Sequence, residues 1–574
     1  MGFKKRKNKN KAKQGEPAPQ KDYSRREMPE IVKENKNFED FYTHQNIMPK
    51  NEIPEFLEAL KRPLPQTFRF AGFKNSAKLL IKRMEESFLD NFEDLEIDGV
   101  RITKPEPMSW YPNRLAWSTT LSRTQLRRHP KLGEMHRFLI AESEAGYVTR
   151  QEAVSMIPPL FMDIKSDQKI LDLCAAPGSK TSQIIELMHE DHENDPKNSK
   201  KVPEGFCIAN DKNNKRCYML VHQAKRLNSP SCIITNHDAS LFPGLVTKDE
   251  KIDEFMPLEF DRILADVPCT GDGTMRKNFD IWKSWTAENS TSLHPTQVKI
   301  LKRALELLKV GGKVIYSTCS LSPLEDEAVV GHVLSQCQGS AKLVDCSSTL
   351  PNLKRRKGIS NWDVMLKDGN FYTTFEEQKD LGKTHITRSM FPPGDVEKLN
   401  LDRCMRFLPH DQDTGGFFVC VIEKTAKLPW ESDKKSSIKK ANRNENEKLA
   451  NGVPFTDPNS TNTYDGPPCK KVKNNEKYRQ GVFNEDPFYF FEDSKNNETI
   501  KEILKFYNLD ADTFPTELLL SRSDHSKVAA PKHMYLVSPT VKEVLKYNSK
   551  RLQGGAGFKT LEISWIVDLD MSYF

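Results

Sequence analysis

The residues that could do chemistry in this sequence are two cysteines, each set just after a short apolar run. One lies in Asp266-Val267-Pro268-Cys269-Thr270-Gly271-Asp272-Gly273 and the other in Ser317-Thr318-Cys319-Ser320. The runs before them, Arg262 to Ala265 and Lys313 to Tyr316, read as strands. Both cysteines are therefore expected at the same edge of one sheet, close to a ligand. A thiolate is the natural nucleophile for a soft, electrophilic ring carbon. A lone buried cysteine is usually inert packing. Two at adjacent strand ends, beside Asp266 and Lys180, point instead to a nucleophile.

A second segment, Leu171-Asp172-Leu173-Cys174-Ala175-Ala176-Pro177-Gly178-Ser179-Lys180, runs from a strand through a small-residue turn into a helix. Small residues let a ligand approach the backbone, and a helix N-terminus offers free N–H donors. The turn is neither GxGxxG nor a Walker A loop. Taken alone it fits a nucleotide-like ligand or a plain strand-helix turn. Acids recur at strand ends: Asp211 after the second strand, Asp238 after the third and Asp266 after the fourth. An acid after the second strand suits ribose hydroxyls. Singly each could be a helix cap; three in register are harder to dismiss.

The elements that must position these residues alternate. Strands are expected at Lys169 to Leu173, Phe206 to Ala209, Cys232 to Thr235, Arg262 to Ala265 and Lys313 to Tyr316. Helices are expected at Ser179 to Glu190, Asn213 to Leu227, His294 to Leu308 and Glu325 to Leu334. Strand-helix alternation predicts right-handed crossovers and a mostly parallel α/β sheet with helices on both faces. Cys404 to Leu408 and Phe417 to Ile422 read as a closing antiparallel pair around Asp413-Thr414-Gly415. Thr149 to Glu152 has the Ser/Thr-x-x-Glu form of a capping box, opening a short helix through Met156.

Upstream, a small α+β domain is expected over about residues 38–150. Phe68, Arg69, Phe70, Trp110, Tyr111, Arg114 and Trp117 interleave aromatics with cations, a pattern that suits RNA stacking; the plainer reading of each ring is core. Hydrophobic residues make up only 37% of the 574 positions and charged ones 29%, so disordered stretches are expected. They are placed at 1–37, a basic tail with seven Lys or Arg in its first thirteen residues, and at 426–475, a linker. The catalytic domain then spans 151–425, a partial C-terminal region 476–550 and a tail 551–574. No apolar run approaches a membrane span, no secretory signal precedes the first domain, and the eleven cysteines lack CxxC spacing. A reducing compartment, no membrane and no metal are the expectations.

These motifs resemble the Nol1/Nop/Sun family of RNA (cytosine-5)-methyltransferases, over about residues 38–545. Cys174 to Thr181 resembles that family's methyl-donor loop, Asp266 to Gly273 its Asp-x-Pro-Cys motif, and Thr318-Cys319 its Thr-Cys motif. Gln151-Glu152-Ala153 with Ser155 and Pro158 resembles the segment before the catalytic domain, and Phe407 to His410 with Gly415 to Phe418 its closing hairpin. Asn210-Asp211, Lys215 to Tyr218, Val221 to Ala224, Asn236 to Ala239 and Gly273 to Asn278 look like the eukaryotic multisite tRNA branch, with Thr270 standing where Ser is usual. Relatives continue into a small RNA-binding domain after a segment like Asn548-Ser549-Lys550. Here only 24 residues follow, in unmatched sequence, so a truncated or alternatively spliced C-terminus is expected.

The resemblance implies a Rossmann-like class I S-adenosylmethionine-dependent core, a mostly parallel seven-stranded sheet. It implies tRNA as partner, methylated at the variable-loop junction and, in some intron-containing precursors, at the anticodon. It implies that Cys319 adds to carbon 6 of cytosine, that carbon 5 takes the methyl group, and that Cys269 helps release. Asp266 and Lys180 would hydrogen-bond the base. The backbone of Cys174, Ala175, Ala176, Pro177, Gly178 and Ser179 would face the donor's methionine end, Asp211 would hold its ribose, and Asp238 would lie near its adenine. Three competing readings are a DNA methyltransferase with Cys269 as nucleophile, a non-catalytic RNA-binding scaffold and a small-molecule methyltransferase. Basic clusters at Lys4 to Lys7, Lys354 to Lys357 and Pro467 to Lys473 fit nuclear import, including the nucleolus, and a monomer is expected.

Overall fold

The structure is a computed structural model that describes residues 32–431 and 488–567, apart from 74–75, 93–94, 98–99, 122–124, 126–128, 130–131, 196–201, 250–252, 368, 380–384, 492–496, 511, 523–533, 554–558 and 564–565. Most of the expected basic tail and linker, with the Lys4 and Pro467 clusters, lies outside the described residues.

Seven of the ten strands of the central sheet carry the site: β1 Lys169–Asp172, β2 Phe206–Asn210, β3 Cys232–Asn236, β4 Phe260–Asp266, β5 Leu308–Thr318, β6 Met405–Phe407 and β7 Phe417–Lys424. Their order is β6-β7-β5-β4-β1-β2-β3, with β1 to β5 parallel and β7 antiparallel to both β5 and β6. Such strands need apolar residues on both faces, because helices cover both; β2 and β3 are buried at every position. The period of two divides them cleanly. Ile170, Leu264 and Ile315 enter one core layer, while Leu171, Ile263 and Val314 enter the other. Each fully buried aliphatic side chain contributes roughly 1.5–3 kcal/mol.

Two helices, α1 Lys36–His44 and α2 Ile53–Lys61, do not join the upstream domain where they were expected. Phe38, Phe41, Tyr42 and Phe56 pack with Trp282, Trp285 and Leu324 of the catalytic unit. The upstream domain itself is a four-stranded antiparallel sheet in the order Glu106–Pro107, Ala116–Thr119, Gln66–Phe70, Val148–Arg150. Its rings are core: Phe68, Phe70, Trp110, Tyr111 and Trp117 are buried, and Arg69 is held by Glu186 and Gln151. Stacking on RNA therefore does not fall to these rings. The capping box also fails. Thr149 and Arg150 are drawn into pairing with Arg69 and Phe68, and a helical turn starts only at Val154. The Gln151 amide ties that turn instead, donating to the Ser155 carbonyl at 2.9 Å.

The longer helices of the catalytic unit are α3 Ser179–Asn194, α4 Asn214–Lys225, α5 Ala287–Leu307 and α6 Glu327–Cys337. Beyond residue 488, Tyr489–Phe490, Leu519–Ser521, Met534–Leu536 and Ile566–Val567 form a separate four-stranded sheet. Part of the unmatched tail also acts as a strand: Lys559–Ile563 pairs antiparallel with β3 at the edge of the central sheet.

Candidate active site at the carboxyl edge of the sheet

The parallel register carries the chemistry to one edge. Asp266 ends β4 opposite Ser317 on β5, and Leu264 stands opposite Asp172 on β1. Beyond these ends lie three loops: the small-residue turn before α3, the Pro-Cys loop after β4 and the Thr-Cys loop after β5.

Cys269 Sγ lies 3.2 Å from Cys319 Sγ. The contact with Cys319 and burial both push the Cys269 thiol well above its ordinary pKa. Beside the pair, Lys180 Nζ donates to Asp266 Oδ2 at 2.7 Å and to Ser155 Oγ at 2.9 Å, and sits 5.3 Å from the centre of the Phe417 ring. Burial alone would lower the pKa of this lysine. The Asp266 carboxylate and the Cys319 sulfur outweigh burial and hold its pKa above the usual value, so it stays an ammonium. Ser317 Oγ donates to the other Asp266 oxygen at 2.8 Å.

The two cysteine loops are fastened to each other. Gly273 N–H donates to the Cys319 carbonyl at 3.0 Å, and Gly416 N–H, from the turn before β7, donates to the Gly273 carbonyl at 2.7 Å. A Cβ on Gly273 would lie 2.3 Å from the Gly416 oxygen and 2.8 Å from the Cys319 oxygen, so only glycine fits. Below them lies a layer of buried acids. Asp272 accepts from Leu321 N–H at 2.8 Å, from Trp285 Nε1 at 3.2 Å and from the Tyr42 hydroxyl. Glu325 accepts from the Thr270 N–H and hydroxyl, and Asp326 accepts from the Thr318 hydroxyl. Arg406, wholly buried, pairs with Glu327 and donates to the Leu321 carbonyl.

In front of Lys180 opens a cleft of about 190 Å³ lined by Cys174, Ala175, Ala176, Pro177, Ser179, Lys180, Asp172 and Asp266 together with Arg150, Gln151, Glu152, Ser155 and Lys277. The turn along it is cramped for a reason: Gly178 has φ +112°, and a Cβ there would press on Leu220 at 2.9 Å. Cys174 is driven well up in pKa by burial and by the Asp172, Asp211 and Asp266 carboxylates. Burial also raises Asp172 to about 7. The small side chains and the N-terminus of α3 leave room for the methionine end of S-adenosylmethionine, and the acids suit its cationic groups, so the residues fit this donor.

Arg150, Glu152, Ser155 and Asp172 lie in segments that the sequence singles out, yet it does not mark them as lining residues, because those segments read as a helix cap, as the approach to the catalytic domain and as the end of a strand. Asp211 and Asp238 are not among the residues that line this cleft. Asp211 accepts from the Ala176 and Asn213 N–H groups at 3.2 and 2.8 Å. Asp238 pairs with Lys212 at 2.6 Å and caps the turn at Ser240. Among the described residues no cluster of three or more His, Cys, Asp or Glu could hold a metal, and no helix is long and apolar enough to cross a membrane.

Comparison with known proteins decides the family. The family described as 16S rRNA methyltransferase RsmB/F matches residues 159–423, and the NSUN2 Pre-PUA domain matches 487–561. A multisite-specific tRNA:(cytosine-C(5))-methyltransferase of Schizosaccharomyces pombe is 40% identical, with 92% of this chain and 78% of the relative covered. The chain belongs to the RNA (cytosine-C5)-methyltransferase family. A tRNA (cytosine(34)-C(5))-methyltransferase of Drosophila melanogaster is 39% identical over 91% of this chain and 69% of that protein. A multisite-specific tRNA:(cytosine-C(5))-methyltransferase of Saccharomyces cerevisiae is 38% identical over 91% and 72%. The protein is thus an S-adenosylmethionine-dependent RNA methyltransferase acting at cytosine carbon 5, and the sheet order above is that of its class I fold.

Proposed function

We propose that this methyltransferase acts on tRNA and that Cys319 is its nucleophile. The observation that carries the reading is the Cys319-Cys269 contact of 3.2 Å beside the Lys180-Asp266 pair. The S-adenosylmethionine sulfonium supplies the methyl group. Cys319 adds as thiolate to carbon 6 of the cytosine, which makes carbon 5 nucleophilic. Lys180 and Asp266 hydrogen-bond the ring and offset the charge that develops on it. After methyl transfer a base removes the carbon 5 proton and the Cys319 thiolate is eliminated, with Cys269 assisting release. The target base must leave its stack, at a cost of a few kcal/mol.

The Cys174 to Ser179 turn would face the donor's methionine end, with Gly178 allowing its close approach, while Asp211 would serve the ribose and Asp238 the adenine side. Asp211 supports that role indirectly too, since its carboxylate anchors the Ala176 N–H. The relatives' names favour tRNA, and the family resemblance implies the variable-loop junction and the anticodon of some intron-containing precursors as its targets. The basic clusters favour the nucleus, nucleolus included, and the protein is taken as a monomer. Incubation of the full chain with labelled S-adenosylmethionine and total tRNA, followed by mapping of 5-methylcytosine, tests the reading. Label at tRNA cytosines supports it; tRNA left unlabelled refutes the tRNA assignment.

A further inference from the structure

The cleft is lined by three carboxyl groups, and they differ in what they already hold. Both oxygens of Asp266 are engaged, one by Lys180 and one by Ser317. Asp172 lies beneath the turn, 1% exposed, with Thr181 donating to it at 2.7 Å. Glu152 shares with Asp172 one buried oxygen that lacks a hydrogen-bond partner, but it has no counterpart of the Thr181 hydroxyl that donates to the second oxygen of Asp172. Its Oε1 is buried and has no hydrogen-bond partner, and its Oε2 faces Lys277 Nζ at 4.0 Å. A buried acceptor without a donor is costly unless a ligand completes it.

Its place narrows the ligand. Glu152 lines the cleft together with the donor turn. A Cβ on Gly415 would lie 2.1 Å from Glu152 Oε1 and 3.3 Å from the Gly273 carbonyl. Gly273 in turn holds the Cys319 carbonyl. The carboxyl therefore sits on the side of the cysteine loops, where the target base must lie, and not on the side of Asp211 and Asp238. A cytosine differs from a uracil by an exocyclic amine that donates where the other accepts. Burial pushes the Glu152 carboxyl up in pKa and Lys277 and Lys180 pull it down; in either protonation state one oxygen still accepts.

We propose that Glu152 reads the target base by accepting a hydrogen bond from the exocyclic amine of cytosine. This rests on the cytosine reading above and makes Glu152 a specificity residue of the same site. It also accounts for the glycine at 415, since any side chain there would displace the carboxyl.

The test compares full-length wild type, Glu152→Met and Glu152→Gln on one tRNA carrying, at a mapped target, either cytosine or pyrimidin-2-one, which lacks the amine. The rate of Cys319 adduct formation and the donor Kd are read for each. Glu152→Met is expected to slow adduct formation on cytosine by roughly 10- to 150-fold, the worth of a hydrogen bond to a charged group, and to leave pyrimidin-2-one within about 3-fold. Glu152→Gln keeps one acceptor and is expected to fall between. Equal loss on both bases, or no loss on either, overturns the inference. So does a weakened donor Kd, which would assign Glu152 to the donor's ammonium. A wild type that forms no Cys319 adduct on cytosine overturns the reading beneath it as well.

Discussion

Lys180, at the start of the helix after the donor turn, and Asp266, at the end of the fourth strand, close a 2.7 Å ion pair at the mouth of the sheet. The pair joins the donor side of the cleft to the cysteine side. Its lysine keeps its charge in spite of burial because the carboxylate and the Cys319 sulfur face it.

Lys180→Met is therefore expected to lower the rate of methyl transfer by about 10²–10³-fold, the usual effect of removing one preorganised donor to developing charge. Single-turnover methylation on a fixed tRNA checks this. A loss under about 5-fold would remove Lys180 from the reacting centre.

Tyr42 is the second test. Its hydroxyl, on a helix far from the catalytic loops in sequence, donates to the buried Asp272, which in turn holds the Leu321 N–H next to the Cys319 loop. Burial raises the Asp272 pKa, so each donor to it matters. Tyr42→Phe is expected to slow Cys319 adduct formation about 10-fold, in line with about 1.5 kcal/mol for one charged hydrogen bond. Donor Kd should stay unchanged. Stopped-flow or quench measurement of the adduct checks the first and calorimetry the second.

Much of this arrangement was legible in the sequence because it is local. The apolar runs of β1 to β5 are buried on both faces, so their periodicity and length gave them away, and the chemistry follows each strand end directly. What stayed hidden depends on contacts distant in sequence. Tyr42 meets Asp272 across 230 residues, and Phe38 packs on Trp285 rather than on its own neighbours. Thr149 looked like a helix cap because the local pattern is right, yet strand pairing with Arg69 wins. Glu152 reads as part of that cap, and its place in the cleft comes only from the tertiary fold. Lys559 to Ile563 adds to the sheet by backbone pairing, which composition does not encode.

The third prediction concerns pH. Burial raises Asp172 to about 7, so the folded state keeps a proton that the unfolded chain, near 3.8, has lost. Stability from this group is present below about 4 and declines as pH rises through about 7. The full window is on the order of 4 kcal/mol, at about 1.4 kcal/mol per unit. Asp172→Asn is expected to flatten that slope and to melt higher than wild type at pH 8, with the difference vanishing near pH 4. Thermal denaturation across pH 4–8 without donor checks it, and parallel slopes for the two proteins would contradict it.

The cysteine assignment is tested most directly by denaturing electrophoresis of the protein with tRNA and donor, comparing Cys319→Ala with Cys269→Ala. A tRNA adduct that accumulates in Cys269→Ala and is absent from Cys319→Ala, with no methylation by the latter, is the predicted result. An adduct retained by Cys319→Ala, or turnover equal to wild type in that variant, would contradict the account.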